Sequence, residues 1–184
     1  MITFNVDETT GQELLRIARQ TVSSRLLKGS PPTWNEGDPG LKQPAGAFVT
    51  IRRDGHLRGC IGNFDATMPI AVMVMDMARA AAFQDPRFEP VAAEELDLLR
   101  FDISILGPRF PIRPEEVIVG THGLNITRGR RRGVLLPQVP VEWGWDRETF
   151  LDEVCLKAGL PEGTWREPDV LLEAFTAVVL REED

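Results

Sequence analysis

The 184-residue chain is 42% hydrophobic and 27% charged, the balance of a globular protein long enough for one domain with a proper core. Its formal net charge of −7 sets it against polyanions and makes nucleic acid a disfavoured partner. No run approaches the roughly 18 apolar residues of a membrane span, the N-terminal stretch carries Asp7, Glu8 and Glu13 in place of a signal-peptide profile, and two cysteines make no disulfide framework, so the reading is cytoplasmic and membrane-free.

Asp7 to Lys28 reads as a helix, with Leu14, Ala18 and Val22 on one face, Asp7 as N-cap and Gly29 as stop. Ser30 to Pro44 is crowded with prolines and glycines and reads as a surface loop. Gly46–Arg53 and His56–Ile61 then form a hairpin around Asp54-Gly55, a strong turn signal between apolar alternations. A helix starts at Thr67-Met68-Pro69 and runs to about Gln84, apolar on most sides and therefore buried. Asp85-Pro86-Arg87-Phe88 stops it, and Ala93–Leu99 is a short helix.

Strands follow at Phe101–Leu106, Val117–Gly120, Leu124–Arg128 and Gly133–Leu136, with Gly129 to Arg132 turning the last pair. Asp146 caps a helix from Arg147 to Ala158, ended by Gly159-Leu160-Pro161. Glu173–Arg181 alternates as a final strand. The fold class is α+β, a mixed or antiparallel sheet with flanking helices, in a single domain spanning 1–184.

The dinucleotide fingerprint, the P-loop, Gly-x-Ser-x-Gly and His-Glu-x-x-His are all absent, and Cys60 and Cys155 stand too far apart for paired-cysteine zinc spacing. No metal set or cofactor is legible. With His56 and His122 as the two histidines and no tyrosine, the acid–base inventory near neutral pH is short.

Within it, Leu57-Arg58-Gly59-Cys60-Ile61-Gly62 stands out. Glycines bracket a cysteine at a strand end, permitting close approach by another group, and Arg58 is a neighbouring cation. Cys60 is either a reactive or ligand-contacting thiol or a small buried filler. His122, in Gly120-Thr121-His122-Gly123, is either a base for Cys60 or a turn histidine bonded locally. Asp85 and Arg87 either hold a polar substrate or form a structural ion pair at a helix stop. His56 reads as a solvated turn residue and Cys155 as core. The arginines at 128, 130, 131 and 132 read as a basic turn able to touch phosphates or as a solvated loop.

At Leu-Arg-Gly-Cys-Ile-Gly, residues 57–62, the sequence resembles the AMMECR domain family, called AmmeMemoRadiSam system protein A in microbes. Phe48-Val49-Thr50, Asp85-Pro86-Arg87-Phe88, Ile103-Ser104-Ile105-Leu106 and Gly120-Thr121-His122-Gly123-Leu124 match in order. So do Gly133-Val134-Leu135-Leu136-Pro137-Gln138, Gly144-Trp145-Asp146 and Lys157-Ala158-Gly159-Leu160. The resemblance implies a two-lobed α+β fold, with the larger lobe holding both termini and the hallmark segment near the cleft. It implies no settled activity, and its microbial name points to MEMO-like and radical S-adenosylmethionine proteins as partners. Carried onto matching positions are Arg58, Gly59, Cys60, Gly62, Asp85, Arg87 and His122.

Three functional readings follow. In the first, an enzyme, Cys60 is the nucleophile, His122 the base, the Gly59–Gly62 backbone an oxyanion-type site, and Arg58 and Arg87 bind an anionic substrate. In the second, a non-catalytic binding module docks a MEMO-like or radical-enzyme partner, helped by Trp143 and Trp145. In the third, the Arg128–Arg132 turn binds nucleic acid.

Overall fold

The computed structural model describes residues 6–183; residues 1–5, part of the stretch read for a leader, and residue 184 lie outside it. The fold is α+β, with two four-stranded sheets in two compact units. One unit takes the chain through Leu106 and again from Val178, and the other is Gly107–Ala177.

The first unit opens with α1 (Glu8–Leu26), where Asp7 accepts the Thr10 N–H at 2.7 Å as N-cap. Leu14, Ile17, Ala18 and Val22 recur at helical spacing and are fully buried. The proline-rich loop hides a short helix, α2 (Pro39–Lys42). Asp38 caps it, Pro39 stands at its first position, and Leu41 anchors it in the core. The hairpin is β1 (Gly46–Arg53) and β2 (His56–Asn63), and both turn residues take positive φ, +50° at Asp54 and +77° at Gly55.

The buried helix α3 (Ile70–Phe83) begins three residues later than Thr67, its first N–H donated to the Gln43 carbonyl. A 3-10 helix at Ala93–Leu98 leads into β3 (Leu99–Leu106). The sheet order is β2-β1-β3 and then β8 (Ala177–Arg181). Ala47, Val49 and Ile51 of β1 and Phe101, Ile103 and Ile105 of β3 are sealed in a core with α1 and α3.

The second unit holds β4 (Phe110–Pro111), β5 (Gly123–Arg128), β6 (Arg131–Leu135), α4 (Gln138–Trp143), α5 (Arg147–Lys157) and β7 (Leu171–Phe175), in sheet order β4-β7-β5-β6. Phe150, Leu151, Val154 and Cys155 of α5 pack with Leu124, Ile126, Leu172 and Ala174 of the sheet.

Two strand expectations are corrected. Val117–Gly120 is a turn: a 3-10 helix at Pro114–Glu116 precedes it, the Ile118 carbonyl accepts the Thr121 and His122 N–H groups, and Gly120 takes φ +83°. Glu173–Arg181 is two strands in different sheets, broken at Thr176, whose carbonyl accepts the Gly107 N–H at 2.8 Å.

Candidate functional site at Cys60

β2 is an edge strand, so one side of its backbone lacks a strand neighbour. At Cys60 two side chains take that neighbour's place. The Cys60 N–H donates to Asp85 Oδ2 at 2.9 Å, and the Cys60 carbonyl accepts from Arg87 Nη2 at 3.3 Å. Asp85, one residue past the C-cap of α3, has only 2% of its side chain exposed. Its oxygens also accept Arg87 Nε at 2.9 Å, Arg87 Nη2 at 2.7 Å and the Arg87 backbone N–H at 3.1 Å. The Arg87 guanidinium first, and the Cys60 and Arg87 N–H groups behind it, outweigh burial and hold the carboxyl far below the usual carboxylate range. In return Asp85 pushes the Arg87 pKa up.

The pleat then divides the hallmark between two faces. Gly59 faces inward, where an added Cβ would stand 2.1 Å from the Ala81 carbonyl oxygen of α3. Cys60 faces the other way, opposite Thr50 of β1, whose hydroxyl donates to Sγ at 3.2 Å. Gly62 lies beneath the Phe48 ring, which meets Phe64 edge-on. The thiol is half-buried and free.

Arg58 is only 16% exposed and turned to Glu95, with Nε and Nη2 each 2.9 Å from a carboxylate oxygen. Its Nη1 reaches the Glu89 carbonyl at 2.8 Å. Arg58, then the Ala92 N–H and Arg53, lower the Glu95 pKa to about 2. Among the residues singled out by sequence, then, Cys60, Asp85 and Arg87 meet directly, Gly59 and Gly62 admit helix and ring, and Arg58 ties β2 to the 89–95 segment. Thr50 and Glu95 were not singled out. The signal for Thr50 was its place in the hairpin, and for Glu95 its position three residues after Ala92 at a helix start.

His122 belongs to the second unit. Its Nδ1 accepts the Ile118 N–H at 3.1 Å and its ring meets Phe110 edge-on. Nδ1 is therefore unprotonated, and partial burial lowers the pKa below 6.5. A neutral form favoured by folding contributes stability that is full above the unfolded pKa of about 6.5 and is lost as pH falls from there through the lower folded value. The Ile118 amide resonance is expected to titrate together with the imidazole, with a midpoint below about 6.5. A midpoint at or above that value in NMR would contradict the bond.

Cys155 is fully buried, and burial pushes its thiol up. In the arginine turn, Arg128 pairs with Asp169 at 2.8 Å, Arg131 donates to the Gly159 carbonyl, and Arg132 donates to the buried Asn125. Trp143 is 71% exposed and lies near-parallel to Trp145 at 6.2 Å. Among the described residues no group of three His, Cys, Asp or Glu side chains is placed to hold a metal, and no helix is long and apolar enough to cross a membrane.

The chain matches the AMMECR1 family over residues 15–180. A protein of Thermococcus gammatolerans is 40% identical to it over 98% of this chain and 94% of its own length. Protein PH0010 of Pyrococcus horikoshii is also 40% identical, over 98% of this chain and 93% of its own. The crystal structure of that uncharacterized protein superposes with a TM-score of 0.88 at 39% identity, covering 97% of this chain and 94% of the other.

Proposed function

We propose that this chain, which belongs to the AMMECR1 family, works through a thiol-centred site at Leu57–Gly62, as an enzyme or the thiol-bearing component of one. The observation that carries the reading is the treatment of Cys60. Its sulfur receives the Thr50 hydroxyl while its backbone is held on the open side by Asp85 and Arg87. A filler cysteine requires neither. In this reading Cys60 is the nucleophile, Thr50 supports developing negative charge on sulfur, and Asp85 and Arg58 are positioning residues. Because His122 Nδ1 already accepts a backbone N–H, the neutral imidazole carries its proton on Nε2.

Alkylation of the native protein by iodoacetamide, read by peptide mass spectrometry, tests this. Cys60 is expected to label in the folded state while the buried Cys155 labels only on unfolding. Thr50→Val, which removes the O–H donor, is expected to slow Cys60 labelling about fivefold, the value of a modest hydrogen bond. If Cys60 labels only with unfolding, the thiol reading is lost and the segment is architecture. The second reading would then stand: a module docking MEMO-like or radical S-adenosylmethionine proteins, for which the exposed Trp143 is the favouring observation.

A further inference from the structure

Resting on that thiol reading, we infer that the Cys60 site takes a substrate bearing a small anionic group, a carboxylate or a phosphate, and that Arg87 and Arg52 receive it.

Arg87 and Asp85 are a neutral pair with unequal halves. The carboxylate is 2% exposed and taken up by the Cys60 N–H and by Arg87, whereas the guanidinium is 54% exposed. The pair thus turns its positive end outward. Arg87 spends Nε and Nη2 on Asp85 and the Cys60 carbonyl, and among the described residues Nη1 has no partner. Its plane is held by a bidentate contact, so the Nη1 hydrogens are oriented in advance for an anion. Arg52 offers a second edge. It lies on β1 two residues from Thr50, on the sheet face that carries Cys60, and gives only Nε to Asp102, at 3.0 Å. Arg58 is closed by Glu95 and two carbonyls, so it receives nothing. A lysine at 87 would hold neither partner in this fork.

The test compares iodoacetate with iodoacetamide at Cys60 in the full chain at fixed ionic strength. In both, the sulfur displaces iodide: the S–C bond forms, the C–I bond breaks, and the thiol proton goes to buffer. The reagents differ by one carboxylate. The iodoacetate-to-iodoacetamide rate ratio at Cys60 is expected to exceed the ratio in the denatured chain about tenfold. Arg52→Gln and Arg87→Lys are each expected to lower it at least about threefold. Arg52 does not hold the Cys60 backbone, so its variant reports on binding without disturbing the strand.

On wild-type protein, acetate and inorganic phosphate, titrated separately, are expected to slow iodoacetamide labelling with saturation where chloride does not; the tighter of the two names the class. If iodoacetamide labels Cys60 but the ratio equals the denatured value and neither anion protects, the anion site is overturned and the thiol reading survives. If iodoacetamide fails to label native Cys60, both fall.

Discussion

Gly59→Ala is expected to cost the first unit about 3 kcal/mol or more, at the upper end of over-packing, and to lower its melting midpoint by on the order of 10 °C. The new Cβ would lie 2.1 Å from the Ala81 carbonyl oxygen and 3.1 Å from its carbon. That obstacle is helix backbone, which cannot rotate aside, so β2 or α3 must move as a whole. Gly62→Ala is the internal contrast. Its Cβ would stand 2.2 Å from Phe48 Cγ, so the half-buried Phe48 must change rotamer and give up its edge-on contact with Phe64, a side-chain movement where Gly59 demands one of backbone. The loss there should stay below about 1.5 kcal/mol. Urea denaturation of both variants measures the difference, and equal losses would mean that α3 does not bear on Gly59.

Asp85→Ala should cost about 3 kcal/mol. It leaves the Cys60 and Arg87 backbone N–H groups without their acceptor, while the Arg87 guanidinium rehydrates because half of it already meets water. Asp85→Asn keeps the shape and removes the charge. A carboxyl whose folded pKa lies below its unfolded 3.8 contributes stability above that value and loses it as pH falls further. The stability gap between wild type and Asp85→Asn is therefore expected to be full at pH 7 and to shrink below about pH 4. A gap independent of pH would remove the ionised clamp. Because Asp85 fixes the Cys60 backbone, native labelling of Cys60 should change in the same variants.

The parts legible in sequence were those governed by neighbours in the chain. Asp7 and Asp146 cap their helices, and Asp54-Gly55 turns the hairpin with positive φ at both residues. The site is harder because it depends on one extra residue. Counting back from a two-residue turn places Thr50 opposite Gly59. The strands instead pair Arg52 with Leu57 and Ile51 with Gly59, skipping Arg58, so Thr50 meets Cys60. This bulge sets the Thr50–Cys60 contact, and no local signal marks it. The Asp85–Cys60 bond has the same difficulty, since a helix intervenes between its partners. Val117–Gly120 has strand-like residues but sits between Pro114 and a positive-φ Gly120, and the turn wins. Alternation through Glu173–Arg181 conceals a change of sheet because each half keeps its own apolar side: Leu172 and Ala174 serve the second core, Leu180 the first.

That change of sheet sets an order of events on the ribosome. β8 lies beside β3, but the whole of Gly107–Ala177 is translated between them. The second unit is contiguous and can close as soon as it emerges. The first cannot, because until the residues after 177 appear, the Phe101 N–H lacks the Glu182 carboxylate that accepts it, the Phe101 carbonyl lacks the Glu182 N–H that donates to it, and Arg19 lacks its carboxylate. A chain released after residue 177 would carry a finished second unit and a three-stranded sheet with β3 bare along one edge, open to another chain.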